Sequence, residues 1–236
     1  MKEIKVTESR FRAVDIDYVH RGVSGVVSDL CGRAETYYGA DRAILTIKFA
    51  KEYADFFKTE IEDRIADVIA VKYKYAFFKK YVRTSGLDSF ETELLRAALI
   101  SADLDEDKKY IVRRLRNYDE YAIDGIYNFR LTPLKRKWQD IVGYIPPFFT
   151  GVQLKDFVSY LLSEKREKKV FVERGGVYDA NFVKLDRASL TCDTSEGRIV
   201  REVLLSASGK VDVKTPLDSL DEKYIRSFYG SHAVFE

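Results

Sequence analysis

The sequence is poor in the residue types that most often carry catalysis. Its 236 residues include two histidines and two cysteines. Cys31 and Cys192 lie far apart in the sequence and form no disulfide framework, so we interpret them as reduced thiols. Neither His20 nor His232 lies in a serine or cysteine nucleophile motif, so nothing supports histidine-based acid–base catalysis. These shortages argue against an enzyme.

The chain also lacks a long hydrophobic run and a strong net charge. Its uncharged stretches fall short of the roughly 18 residues that a membrane helix needs. No apolar segment typical of a signal peptide follows the first residues. The net charge of +2 gives no global attraction to nucleic acid or to an acidic membrane. Because 46% of the residues are hydrophobic and 33% are charged, we expect a folded cytoplasmic protein without a membrane span.

Motifs for a metal or a cofactor are missing as well. Asp103, Asp105 and Asp107 alternate as at the start of a calcium loop, but the glycine and the closing glutamate of such a loop are absent. Helix capping is the simpler explanation of these aspartates. Gly175 and Gly176 stand between two predicted strands, as in a hairpin turn and not as in a phosphate loop. We therefore expect no metal and no cofactor.

The spacing of the apolar side chains changes along the sequence. Between Tyr53 and Leu162, apolar side chains recur every three or four residues, which is typical of amphipathic helices. After Lys169 the pattern becomes short β-branched runs broken by glycine, which is typical of strands and turns. We predict an α+β protein with an α/β segment at 1–50, a helical region at 51–168 and a second α/β segment at 169–236.

Individual elements follow from the same apolar spacing and from capping residues. In the first segment we predict strands at 3–7, 11–18 and 43–49 and a helix at 23–37. In the middle we predict helices at 54–82, from Asp88, from Asp105, at 121–131, from Thr132 and at 154–162. In the last segment we predict strands at 170–173, 177–185, 189–193, 211–214 and 233–235, a helix from Thr194 or Ser195 to Gly209, and a helix from Asp218 to Gly230. Whether the first and last segments share one sheet is left open.

Residues 72–83 combine five cations and five aromatic side chains without an acid. The cations are Lys72, Lys74, Lys79, Lys80 and Arg83. Further cations follow at Arg113, Arg114, Arg116, Arg130, Lys135, Arg136 and Lys137. Cations interleaved with aromatics suit the backbone and stacked bases of a nucleic acid. The alternative is a helix whose aromatics pack inward while its lysines reach into solvent.

A second point of interest is the helix predicted around Asp124. Gly125 costs that helix about 1 kcal/mol relative to alanine. We expect the close approach of a neighbouring helix to offset this cost. Asp124 and Asn128 lie one turn apart on the same face. Arg130 stands between Phe129 and Leu131, so we expect its stem to be partly buried and its guanidinium to meet a carboxylate. We interpret the set as a polar clasp between helices, with a ligand site as the alternative.

Residues 123–131 carry a resemblance to a known family. The sequence is similar to the DGF-x-x-FRL signature of the sporulation protein YtxC family of endospore-forming Firmicutes. The matching residues are Asp124, Gly125, Phe129, Arg130 and Leu131, and Ile126 replaces a usual phenylalanine. The order of the helices and the αβ ending are also similar, whereas Thr132–Pro133 and Pro146–Pro147 depart from the family. The resemblance implies a cytosolic protein of a spore-forming bacterium, without an assigned reaction or known catalytic residues.

These observations favour a non-enzymatic interaction or scaffold protein, linked to sporulation, with an unknown protein partner. The alternative is a nucleic-acid-binding module that uses the basic and aromatic segment from Lys72 to Arg83. A third class is a hydrolase or transferase. It would require that Asp124, Asn128 and Arg130 converge in an open cleft.

Overall fold

A computed structural model describes residues 1–116, 118–164, 167–191 and 195–236. It is 60% helical and 19% strand, with the strands in two small mixed sheets. The predicted α+β class is therefore confirmed. The strands of the first and last sequence segments lie in separate sheets, which answers the question that the sequence left open.

The described part of the chain contains nine strands and ten α-helices. The strands are β1 (Lys2–Ser9), β2 (Arg33–Tyr38), β3 (Arg42–Phe49), β4 (Glu120–Ala122), β5 (Lys169–Glu173), β6 (Gly176–Tyr178), β7 (Lys184–Leu185), β8 (Lys210–Val213) and β9 (Ala233–Phe235). The α-helices are α1 (Ala13–Asp29), α2 (Ala54–Asp67), α3 (Lys74–Tyr81), α4 (Ser89–Ala102), α5 (Leu104–Leu115), α6 (Ile123–Arg130), α7 (Thr132–Tyr144), α8 (Gly151–Ser163), α9 (Arg198–Leu205) and α10 (Ser219–Tyr229). A π-helical segment, Val68–Tyr73, lies between α2 and α3.

The chain divides into two compact units. The first unit comprises residues 1–73 and 106–139, and the second comprises residues 74–105 and 140–236. Each unit is built from stretches that are distant in the sequence. The helical region predicted at 51–168 consequently contributes to both.

The sheet of the first unit has the order β2-β3-β1-β4. The central strand β3 pairs antiparallel with β1 and β2, whereas β4 pairs parallel with β1. Alternate side chains of β3 are buried, because successive residues of a strand point to opposite faces. These are Ala43, Leu45, Ile47 and Phe49. The helix α1 packs against this sheet and against α2. At Gly22 a Cβ would lie 2.7 Å from Cδ of Arg64, so glycine permits this approach of α1 to α2.

Two predictions for the first segment were wrong. Residues 11–18 do not form a strand, because the helix α1 begins at Ala13, and its buried residues recur with helical spacing. The helix predicted at 23–37 ends at Asp29. Cys31 then adopts a φ of 52°, and the residues that follow pair with β3 as strand β2. The β-branched and aromatic side chains of β2 suit a strand better than the helix that we expected.

The second unit is built on a sheet with the order β7-β6-β5-β8-β9. Strands β5, β8 and β9 are parallel, and α10 connects β8 to β9. The helix α4 packs against α9. The predicted start of α4 is confirmed, because Asp88 and Glu91 form a capping box, with the Glu91 amide donating to Asp88 Oδ1 at 2.7 Å.

The end of the chain follows the prediction in part. Asp218 caps α10, and Gly230 follows its last residue, as expected. The strand predicted at 189–193 is wrong, because Arg187–Leu190 forms a 3₁₀ turn; Asp193 lies outside the described residues. Of the two candidate caps for α9, Thr194 also lies outside them. The helix α9 itself begins after Gly197, which has a φ of 60°.

Candidate functional site

The five cations predicted to bind nucleic acid do not share one environment. The side chain of Lys74 has no exposed surface, and its ammonium group pairs with the carboxylate of Asp103. Lys72 pairs with the fully buried carboxylate of Asp15. Only the remaining cations of the segment, which lie within and just after α3, are exposed to solvent. These are Lys79, Lys80 and Arg83.

The aromatic side chains of the same segment are used mainly for packing. Tyr73, Tyr75 and Phe78 are buried. Lys79 Nζ lies 5.9 Å from the centroid of the Tyr75 ring, so that ring already faces a cation within the protein. This arrangement is closer to the alternative that we gave for the segment, a helix whose aromatic side chains pack inward while its lysine stems extend into solvent.

A buried polar cluster surrounds Tyr73 in the first unit. The Tyr73 hydroxyl donates to Glu8 Oε2 at 2.7 Å, and the Ser9 amide donates to Glu8 Oε1 at 2.7 Å. The guanidinium carbon of Arg12 lies 4.3 Å from the centroid of the Tyr73 ring. Burial raises the pKa of Glu8, although the bonds from Tyr73 and Ser9 oppose that rise. The cluster joins β1 to the π-helical segment.

Asp15 forms the other half of this cluster. Burial raises the pKa of Asp15, and the ammonium group of Lys72 opposes the rise. Perturbed carboxylates and π-helical turns are both frequent at functional sites. Here, however, the bonds of Glu8 and Asp15 run to β1 and to the π-helical segment, so their chemistry is used to hold the fold.

Asp124 anchors the start of α6 to the sheet. Its two carboxylate oxygens accept from Arg42, with Oδ2 at 2.5 Å from Nη1 and Oδ1 at 3.0 Å from Nη2. Arg42 Nη2 also lies 3.1 Å from Thr7 Oγ1. Burial alone would raise the pKa of Asp124, but the bonds from Arg42 and from the Gly125 amide outweigh it and lower that pKa. Asp124 therefore clasps α6 to a strand, whereas the clasp that we predicted lay between helices and included Asn128 and Arg130.

Two expectations for this helix were wrong. Arg130 is exposed, and its guanidinium carbon lies 4.5 Å from the centroid of the Tyr118 ring. A neighbouring helix does not approach Gly125, because the nearest atom to a Cβ built there is the Cβ of Ala122 at 3.5 Å. The convergence of Asp124, Asn128 and Arg130 that a hydrolase or transferase would require is also not seen. Asp124 bonds to Arg42, and the exposed Asn128 uses its backbone carbonyl to accept from a lysine.

The missing side chain of Gly125 helps to open a groove between α6 and β4. We call it the signature groove, and its volume is about 310 Å³. Its lining residues are Tyr118, Glu120, Ala122, Gly125, Ile126, Phe129 and Arg130. Phe129 is 85% exposed, so a large apolar side chain lies open to solvent at the edge of this groove. Three of the residues that match the YtxC signature, Gly125, Phe129 and Arg130, thus lie together on one surface.

Sequence reasoning missed the residues that complete this site. Arg42 holds Asp124, and Thr7 in turn accepts from Arg42; both residues lie in strands that are distant in the sequence. Tyr118 pairs with Arg130 from the segment before β4. A usable signal was present at Arg42, which is a charged residue at the start of a strand whose alternate residues are apolar.

Buried carboxylates of the second unit also serve the fold. Glu202 in α9 accepts from the backbone amides of Arg187 at 3.0 Å and Ala188 at 2.6 Å, and so holds the 3₁₀ turn. Burial raises the pKa of Glu202 to about 7, although these bonds oppose the rise. Asp221 in α10 accepts from the Val200 amide at 2.8 Å, and burial raises its pKa to about 6. Both carboxylates are engaged by backbone amides.

The two histidines occupy different settings. His20 Nδ1 lies 3.1 Å from Thr36 Oγ1, which ties α1 to β2. His232 is exposed and lines a cleft of about 340 Å³ that also contains Lys155, Ser159 and Arg226. Among the described residues, no group of three or more His, Cys, Asp or Glu side chains could hold a metal ion.

Comparisons of the chain with family models, with curated proteins and with solved structures found no match. The likeness to the YtxC family therefore stays a proposal. Throughout the part of the chain that the structure describes, every helix is too short or too polar to cross a bilayer.

We expect Lys74→Met to lower the free energy of unfolding by about 3 kcal/mol, because it leaves the carboxylate of Asp103 without its buried cation. The matched variant Lys79→Met should change it by less than about 0.5 kcal/mol, since Lys79 is exposed. Urea denaturation of both variants measures the difference. Equal effects of the two substitutions would show that Lys74 is not a buried structural cation.

The stability of the protein should fall as the pH rises through the titration of Glu202. Its pKa of about 7 in the folded state exceeds its ordinary value of 4.5, so the folded state binds more protons between these values. At 1.36 kcal/mol per pKa unit, ionisation costs the folded state roughly 3 kcal/mol over this window. We expect Glu202→Gln to reduce the dependence of the free energy of unfolding on pH, although it weakens one bond to the 3₁₀ turn. Urea denaturation from pH 4 to 8 tests this. The exposed control Glu196→Gln should keep the slope of the unmodified protein, and an unchanged slope in Glu202→Gln would contradict the assignment.

Proposed function

We propose that this chain is a cytoplasmic, non-enzymatic interaction protein and that a protein partner binds at the signature groove. The resemblance to the YtxC family supports a link to sporulation. The observation that carries the proposal is the exposure of Phe129, which is 85% open to solvent beside a groove of about 310 Å³. Exposed apolar surface beside a concavity is typical of surfaces that bind other molecules.

The chemistry of the groove suits a protein partner. Aromatic side chains and arginine dominate the binding energy of many protein interfaces. The groove offers Phe129 together with the stacked pair of Tyr118 and Arg130. Full burial of a phenylalanine side chain stabilises a complex by about 2 kcal/mol, which corresponds to roughly 30-fold in affinity. The Arg42–Asp124 pair fixes the start of α6, so little ordering of this helix is needed on binding.

The second candidate is a nucleic-acid-binding module, and the exposure of Lys79, Lys80 and Arg83 is the observation that favours it. The burial of Lys74 leaves fewer cations for phosphate contacts than the sequence suggested. With three such contacts, the logarithm of the affinity for duplex DNA would fall against the logarithm of salt with a slope of about −2.7. We place this candidate second because so small a set gives weak binding at physiological salt.

Photo-crosslinking in an endospore-forming host tests the first candidate. A benzoylphenylalanine placed at position 129 of the full chain should give one discrete protein adduct on irradiation. The same side chain at Tyr37, which is 67% exposed on β2 of the same unit, should not give that adduct. Nucleic-acid adducts at either position would favour the second candidate.

A complementation assay adds a readout of function. Deletion of the gene should lower the count of heat-resistant spores, and the unmodified chain should restore it. Phe129→Ala should restore it at least tenfold less well at an equal protein level, whereas Tyr37→Ala should restore it fully. Phe129 is exposed, so its truncation should leave the stability within about 0.5 kcal/mol. Full restoration by Phe129→Ala, together with identical adducts at positions 129 and 37, would overturn the proposal.

A further inference from the structure

A second concave surface of the first unit lies between α5 and α7. We call it the basic groove, and its volume is about 380 Å³. The helix α5 lines one side of the groove with Lys109 and Arg113, which lie one turn apart. The helix α7 lines the other side with Lys137. Its floor is formed by Tyr110, Pro133 and Leu134. Glu106 and Asp107 also line the groove, so its charged lining consists of three cations and two acids.

The positive charge of this lining is only partly compensated. Lys137 is engaged, because its Nζ lies 2.9 Å from Asp107 Oδ1 and 3.4 Å from Glu106 Oε2. Asp107 is buried and also accepts from Trp138 Nε1 at 2.8 Å, so its carboxylate is fully used. Within the described ranges, neither Lys109 nor Arg113 has a carboxylate partner, and both are exposed. Their charge is available to a ligand.

Neighbouring cations extend the same field. Arg114, Arg116 and Arg136 lie beside the groove residues on α5, just after it, and on α7, and all are exposed. The whole chain carries a net charge of only +2, so this concentration of cations is local. A local field of one sign raises the association rate of oppositely charged partners and selects against others.

We propose that the basic groove binds an acidic, amphipathic segment of a protein partner, an inference that rests on the interaction function proposed above. Carboxylates of the partner meet Lys109 and Arg113, and one of its apolar side chains packs on Pro133 and Leu134. A helical partner with acids one turn apart matches the spacing of these two cations, since such positions lie about 5–6 Å apart on any helix.

The floor of the groove favours a peptide over a nucleic acid. Bases bind single-strand proteins by stacking on aromatic faces, which Pro133 and Leu134 cannot provide. Tyr110 is the aromatic residue of the floor, and the guanidinium carbon of Arg114 already lies 5.2 Å from the centroid of its ring. An aliphatic or aromatic side chain of a peptide, by contrast, gains from contact with an apolar floor.

Selection from a displayed library of random peptides against the full chain tests the inference. We expect the selected peptides to be enriched in Asp and Glu around an apolar residue and to bind more weakly as salt is added. Lys109→Glu combined with Arg113→Glu should lower their binding at least tenfold. The matched reversal Lys79→Glu with Lys80→Glu, on exposed lysines outside the groove, should leave binding within twofold. Thermal unfolding of both double variants checks that each is folded.

Three results would overturn the inference. These are the absence of enrichment, enrichment without an acidic bias, and binding that survives reversal at Lys109 and Arg113. A labelled 20-nucleotide single strand of DNA that binds with the same dependence on these two residues would assign the groove to nucleic acid instead. Peptides whose binding is lost in Phe129→Ala but kept in the double reversal at Lys109 and Arg113 would occupy the signature groove, so failure at the signature groove and failure at the basic groove can be told apart.

Discussion

The ion pair between Arg42 and Asp124 is the contact on which the candidate site depends. It joins β3 to the first turn of α6 across 82 residues of sequence. The helix α6 has only eight residues, and so short a helix is not stable alone in water. Its position is therefore set by tertiary contacts, and the paired hydrogen bonds to Arg42 are its strongest polar contact with the sheet. The signature groove exists because this helix is held beside β4.

A related constraint governs the remaining buried charges. An ionised group that leaves water must find a partner, since its desolvation is otherwise too costly. Glu8 meets Tyr73, Asp15 meets Lys72, and Asp107 meets a lysine and a tryptophan. These contacts join elements of the fold that are distant in the sequence. At the surface, by contrast, Phe129 and the groove cations Lys109 and Arg113 are exposed to solvent.

Short-range sequence patterns predicted the helix ends and strands that depend on interactions between neighbouring residues. The alternation of β3, the capping box at Asp88 and the cap at Asp218 are short-range patterns, and the structure confirms each. Only the second half of α1 was predicted, because residues 11–18 were interpreted as a strand; Gly22 lowers the helix propensity between the two halves, and its missing side chain leaves room for Arg64. The π-helical segment left no trace in the apolar spacing.

The candidate site was predictable only in outline. The sequence predicted a polar clasp between helices, whereas the structure pairs Asp124 with Arg42 of β3, because pairing between a strand and a helix leaves no local pattern. Arg130 was expected to be partly buried because its neighbours Phe129 and Leu131 are apolar. Phe129 instead points to solvent, and a sequence periodicity cannot reveal which apolar residue a fold leaves uncovered.

A double-mutant cycle on Arg42 and Asp124 tests the central claim most directly. The free energy of unfolding would be measured by urea denaturation for the unmodified chain, Arg42→Met, Asp124→Asn and the double variant. If the pair holds α6 to the sheet, the two substitutions will be coupled by about 1 kcal/mol or more. Additive effects within about 0.3 kcal/mol would contradict this account, because α6 and its groove would then be held by other contacts.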